Sequence, residues 1–441
     1  MKAAVSASSL LLALGLALPA FAGDIPEGEA RRRFERLCRI RQDKFDQVLP
    51  QALRENGVDM WIVVLREGAP DPLYEDLGRG YVMGTGYYVF ADRGGERIER
   101  SVLGIDNPLF AACPAYDRVE GEADLRRFVA ERDPRRIAVN TSADIGAADG
   151  LSHASYEALR KTLGEPYASR LVSAEKVVSD FRSRRVAAEI VAFGEAVELS
   201  RVLAERALSN EVITPGVTTL ADVSWWLQEQ LLRRGLGSSF DTPSVYVTGP
   251  NGIEAVSTPR VIQRGDFVII DWGVCRLNFC TDIKRQAYVL KAGEGAPPAG
   301  LQHAYDQALK AREIVRRTIK AGRTAQANLD AINAEVERAG FAVMAEFNKP
   351  SAGPKTDVIV GCHSVGNQGH GAGPSIAWFN PKQLTYELKP SNLLSIEFFA
   401  WTPAPEWGGK KVRVPLEDDA VVTERGVEWL GPPADRILLV R

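Results

Sequence analysis

The sequence predicts an α+β fold in two unequal parts, a larger domain of helices on a mainly antiparallel sheet preceded by a smaller mixed α/β domain. Three observations point there. Strand and helix patterns alternate over residues 24 to about 175; long helical patterns then short apolar runs fill the rest; a charged, apolar-poor stretch at 180–185 lies between them as a hinge. The chain has 441 residues, 45% hydrophobic and 25% charged, which suffices for two or three domains with cores and excludes disorder or coiled coil as the dominant state. A formal charge of -3 offers no basic face, so nucleic acid is not an expected partner.

The elements read in order as follows. Lys2, an apolar run at 10–18 and Ala20-Phe21-Ala22 before Gly23 form a signal-peptide pattern over residues 1–22. The run is too short for a membrane span of about 20 residues, so the expectation is cleavage after Ala22, no membrane insertion, and a periplasmic or secreted protein. An amphipathic helix follows at 31–56, then strands at 60–65 and 137–140 and helices at 122–131 and 155–163. Helices are predicted at 187–210 and 220–234, split by Thr214-Pro215-Gly216 and with a threonine capping the second. Strands are expected at 244–248, 266–271 and 281–290, helices at 301–320 and 325–339, and short strands at 393–399, 412–414, 419–423 and 437–440. The five cysteines are too few for a disulfide scaffold and odd in number; Cys38 and Cys113 can pair, while Cys275, Cys280 and Cys362 lie near the candidate site.

The chemistry-bearing residues cluster late in the chain. Asp271 ends a buried strand and Asp282 follows eleven residues on; a turn centred between Arg276 and Leu277 makes them cross-strand neighbours. Two half-buried carboxylates that close repel unless a cation lies between them. Two of the four histidines, His363 and His370, share a glycine-rich stretch at 361–373 that permits close backbone approach. His153 and His303 sit in helix-like surroundings and carry no such signal. Glu397 interrupts an apolar strand, where an unpaired carboxylate costs several kcal/mol, and Glu417 opens another apolar run. Four carboxylates and one imidazole suit two divalent cations with a water between them, with manganese or cobalt favoured and zinc admitted.

In this order the motifs resemble the pita-bread metallopeptidases: methionine aminopeptidase, Xaa-Pro aminopeptidase, prolidase and their metal-free relative creatinase. The resemblance rests on Asp271-Trp272-Gly273, Asp282, His363 with His370 seven residues later, Glu397, and Glu417-Asp418 followed by Thr423. It implies a pita-bread catalytic domain over 179–441, and a creatinase- or prolidase-like α/β domain over 23–178, which methionine aminopeptidase lacks. It further implies Asp271, Asp282, His363, Glu397 and Glu417 as ligands of two metal ions, Mn²⁺ first and Co²⁺ or Zn²⁺ as alternatives. Glu397 would be the general base for attack by a metal-bound hydroxide, His370 would steady the oxyanion, and His370 and Arg413 would bind substrate. The substrate implied is a peptide with proline in second position, cleaved as a dipeptide or at an N-terminus, by a homodimer.

Three departures stand out. The segment Gly252-Ile253-Glu254-Ala255-Val256-Ser257-Thr258 has no histidine where the family usually has one; Gly371 follows His370 where an acid is common; and Arg413 precedes Glu417 by four residues. The missing histidine keeps a second expectation open, a metal-dependent hydrolase of a non-peptide amide or C–N bond. A non-catalytic binding protein on the same fold is a third.

Overall fold

The computed structural model describes residues 27–250, 252–255 and 259–441. The expected signal peptide at 1–22 lies outside the described residues. Among the described residues no helix is long and apolar enough to cross a membrane.

The N-terminal part is a six-stranded sheet: β1 (Met60–Arg66), β2 (Thr85–Ala91), β3 (Glu99–Leu103), β4 (Arg118–Glu120), β5 (Ile137–Val139) and β6 (Leu171–Ser173), ordered β4-β3-β2-β1-β5-β6. Its central strand reads as one apolar run because both faces are covered. Trp61, Val63 and Leu65 pack with Phe45 and Phe181, while Met60, Ile62 and Val64 pack with Phe128 and Leu159. The first helix is Glu29–Gln47, and a separate short helix Leu49–Glu55 follows it across Val48, so the single expected helix is two.

The C-terminal part opens with helices Ala187–Ala207 and Leu220–Arg233. Thr219 caps the second: its Oγ1 accepts from Asp222 N at 3.1 Å, and Asp222 Oδ2 accepts from Thr219 N at 2.8 Å. Strands β7 (Ser244–Gly249), β8 (Gly252–Ala255), β9 (Phe267–Trp272), the hairpin β10 (Cys275–Arg276) and β11 (Phe279–Cys280), and β12 (Ile283–Val289) come next. After helices Ala299–Thr318 and Ala325–Arg338 the chain runs through β13 (Ala342–Val343), β14 (Asp357–Ser364), β15 (Ile376–Ala377), β16 (Leu393–Ser395), β17 (Phe398–Pro403), β18 (Lys411–Leu416), β19 (Asp419–Thr423), β20 (Gly426–Trp429) and β21 (Leu438–Val440). One sheet is ordered β21-β12-β9-β7-β8; the other is built around β14, which pairs antiparallel with β15, β16 and β17.

Strand parity places the site. Phe267 and Ile269 of β9, with Tyr288 of β12, face the cluster that contains Val360 and Phe398 of the second sheet. Val268, Ile270, Trp272 and Ile283 face the two opening helices. Asp271 shares the parity of Ile269, and Lys284 that of Tyr288, so both side chains lie on the face toward the second sheet.

Two expectations are corrected here. Asp271 stands opposite Lys284, not Asp282, because Cys275 pairs with Cys280 and Arg276 with Phe279, which centres the turn between Leu277 and Asn278. Leu277 takes the left-handed conformation that this tight turn demands, with φ 58°. The stretch 180–185 is no exposed hinge: Arg182, Arg184 and Arg185 are buried where the two parts meet. Cys38 bonds to Cys113 and Cys275 to Cys280, leaving Cys362 buried and free.

Candidate metal centre

Five strand ends deliver the side chains. Asp271 sits near the end of β9, Asp282 and Lys284 lie at the start of β12, and His363 is one residue from the end of β14. Glu397 occupies the break between β16 and β17, and Glu417 follows β18. The break is a change of neighbours. Gly361 N donates to Glu397 O at 3.0 Å and Ile396 N to Asp418 O at 2.9 Å, so the expected strand at 393–399 is two strands with Glu397 between them.

All five expected ligands are brought together. His363 Nε2 lies 3.1 Å from Glu417 Oε1, 3.8 Å from Glu397 Oε2 and 3.9 Å from Asp282 Oδ2. Asp271, Asp282 and Glu417 offer oxygens within 4.8 Å of one another, as do His363, Glu397 and Glu417. His363 is in β14 and not in a glycine-rich loop, and the glycines around it are spacers. A Cβ on Gly361 would lie 3.1 Å from Glu397 Oε2, and one on Gly369 2.8 Å from Asp282 Oδ2.

One residue of the centre was not singled out by the sequence. Lys284 Nζ lies 2.6 Å from Glu397 Oε1 and 3.0 Å from Asp271 Oδ2, and it also donates to Glu417 Oε2. It is 3% exposed. Its signal was available in the spacing, since moving the turn centre by one residue puts Lys284 across from Asp271.

The electrostatics follow from burial among like charges. Burial pushes Asp282 well above the carboxylate range, and Glu417 and Asp271 push it further. Burial also raises Glu397, to about 7, against the pull of Lys284. Glu417 goes the other way: burial opposes its charge, yet Lys284 and the His363 hydrogen bond hold it well below its usual range. Burial disfavours the Lys284 ammonium, but the surrounding carboxylates hold its pKa well above the ordinary lysine range. Ser395 Oγ donates to Glu417 Oε1 at 2.6 Å, and His363 Nδ1 lies 3.1 Å from Ser364 O.

These donors fit a divalent cation on the His363 side. Asp282 Oδ1 is buried and accepts no hydrogen bond from the described residues, an oxygen that a cation would satisfy. On the Asp271 side the lysine nitrogen already contacts the oxygens.

His370 and Arg413 flank this core. The His370 ring is 4.3 Å from that of His363 and stacks on Phe379 at 5.4 Å. Burial and the neighbouring His363 lower its pKa, so it is neutral at pH 7. An aromatic wall continues through Trp378, stacked on Phe347 at 5.1 Å and edge-on to Phe379 at 4.8 Å. Arg413 lies over Phe399 at 4.6 Å and beside Phe347 at 5.5 Å. Burial raises the Asp271 pKa, and the charges of Lys284 and Arg413 oppose that rise.

Comparison with known proteins agrees with this geometry. Residues 192–424 match metallopeptidase family M24. A Mycoplasma pneumoniae protein named "Putative Xaa-Pro aminopeptidase" is 28% identical over 262 residues, covering 58% of this chain and 65% of that protein. The X-Pro aminopeptidase structure of Thermotoga maritima superposes with TM-score 0.63 at 19% identity, covering 88% of this chain and all of that one. The Bacillus anthracis Xaa-Pro dipeptidase gives 0.60 at 21% identity, covering 93% and 99%. The chain belongs to metallopeptidase family M24, and its two-part architecture is that of these structures.

Proposed function

From membership of family M24 we propose that this chain is an exported, divalent-metal-dependent peptidase of Xaa-Pro bonds. One observation carries the reading: five ligand-type side chains from separate strand ends converge on one buried volume. A divalent ion held there by His363, Asp282, Glu397 and Glu417 would polarise a carbonyl and acidify water. Mn²⁺ is the first ion to load.

The chain's own residues divide the remaining work. Glu397 takes and returns the proton of the attacking water. Neutral His370, at the mouth of the centre, donates a hydrogen bond to the substrate carbonyl oxygen. The wall of Phe379, Trp378 and Phe347 offers a flat apolar surface for a prolyl ring. Arg413, half-buried among rings, offers a cation to a substrate carboxylate. Support for export comes from the signal-type N-terminus and from two disulfides, which persist in oxidising compartments. Family resemblance also motivates a homodimer, which light scattering tests.

The test is proline release from Xaa-Pro dipeptides and from longer Xaa-Pro peptides by the Mn²⁺-loaded protein, with His363→Ala as control. Release that the control lacks is expected. Full activity in His363→Ala, or hydrolysis of small amides with no peptide cleaved, would overturn the reading.

A further inference from the structure

We propose that Lys284 is a built-in cation that occupies one of the two positions expected for metal ions, so that the centre takes a single divalent ion on its His363 side. This rests on the peptidase reading only in locating the centre.

The argument is one of space and charge. An ion shared by Asp271 and Glu417 would need their oxygens at about 2.0–2.2 Å. The lysine nitrogen already stands 3.0 Å from Asp271 Oδ2 and within hydrogen-bond reach of Glu417 Oε2 and Glu397 Oε1, so a second ion there would overlap it. Nor can the side chain readily leave. Lys284 lies near the start of β12, every residue of which is buried; its backbone N–H donates to Glu417 O at 3.1 Å, and the Phe399 ring lies 5.6 Å from Nζ. Displacing the ammonium would strip it of three carboxylate partners inside the protein.

The two halves of the centre therefore differ. Lys284 takes one oxygen each from Glu397 and Glu417, and the other oxygen of each faces His363 Nε2, at 3.8 and 3.1 Å. Asp282 completes that half with Oδ2, 3.9 Å from His363 Nε2. One half is closed by an ammonium and the other retains free donors.

The experiment is a count of metal per chain. Wild type and Lys284→Ser are loaded with excess Mn²⁺, desalted and measured by plasma mass spectrometry and native mass spectrometry. Electron paramagnetic resonance of the bound manganese gives a second readout. One ion per wild-type chain with the signal of an isolated Mn²⁺ is expected, and two per Lys284→Ser chain with a coupled signal. Two ions or none in the wild type would overturn the proposal, as would a count other than two in a variant whose circular dichroism matches wild type. If that variant does not fold, the wild-type count alone decides. No peptide enters the measurement, so one bound ion without Xaa-Pro cleavage would fail the functional reading alone, and cleavage with two ions would fail this one alone.

Discussion

At the scale of single residues, the candidate ligands are held by neighbouring polar groups. Ser395 Oγ reaches Glu417 Oε1 at 2.6 Å and fixes which lone pairs face His363. Partners of this kind govern ligand orientation, so Ser395→Ala should weaken metal affinity about 10-fold or more, measured by competition with a fluorescent chelator. Away from the centre, Asp71 accepts from Leu73 N and from Asn140 Nδ2, both at 2.9 Å, yet burial pushes its carboxyl up to about 6. A carboxyl raised on folding binds more protons in the fold, so its share of stability is complete below about pH 4 and lost as pH rises through 6. The linkage is worth about 3 kcal/mol at most. In thermal melts, Asp71→Asn should remove this slope, and the wild type should gain on the variant by about one to two degrees between pH 7 and pH 5. A parallel pair of curves would refute the assignment. The candidate ligands were legible because carboxylates inside apolar strands need a reason to be there. Lys284 was not, because a lysine in a strand ordinarily reads as a solvated side chain.

At the scale of elements, the hairpin between β9 and β12 sets the centre. Its register decides whether Asp271 meets a carboxylate or an ammonium, and a shift of one residue in the turn centre separates the two outcomes. The periodic helices were legible within a few residues, as was β9, because burial on one face imposes its period on the sequence. The long strand β14 was not, because Gly361, Gly366 and Gly369 around His363 read as a loop, whereas at 361 and 369 the missing Cβ makes room for Glu397 and Asp282. Gly273 has a similar role. A Cβ there would stand 1.8 Å from the carbonyl oxygen of Thr281, so no side chain fits without moving the hairpin. Gly273→Ala should push Thr281 and the adjoining Asp282 away from β9. The expected result is a folded protein whose metal affinity falls at least 10-fold by isothermal titration calorimetry; wild-type affinity would mean that the hairpin does not position Asp282.

At the scale of the whole molecule, the N-terminal part braces the centre through a buried charge network. Lys44, on the first helix, donates to Glu189 Oε2 at 2.8 Å, and Arg185 donates to Glu189 Oε1 at 3.1 Å. Arg185 then reaches Asn367 Oδ1 at 2.9 Å, and Asn367 donates to Asn278 O at 2.8 Å. That path runs from the small domain to the stretch between His363 and His370 and to the turn of the metal-site hairpin. The arginine-rich segment, which looks like a hinge from its charge alone, is instead the joint that fixes both parts, because its charges have partners that lie far away in sequence. Glu189 is the only carboxylate facing Lys44 and Arg185 at hydrogen-bond distance among the described residues, and it also accepts from Val186 N at 2.9 Å. Neutralising it leaves two buried cations facing an amide. Removing one partner of a buried ion pair costs about 3–5 kcal/mol, so Glu189→Gln should lower the melting temperature by several degrees. A joint that only held the domains together would stop there. Because this one ends on Asn278 and Asn367, the same variant should also loosen metal binding, even where the protein remains folded at the assay temperature. Calorimetry of Mn²⁺ binding at low temperature separates the two effects. Lowered stability with unchanged affinity would confine the network to domain docking.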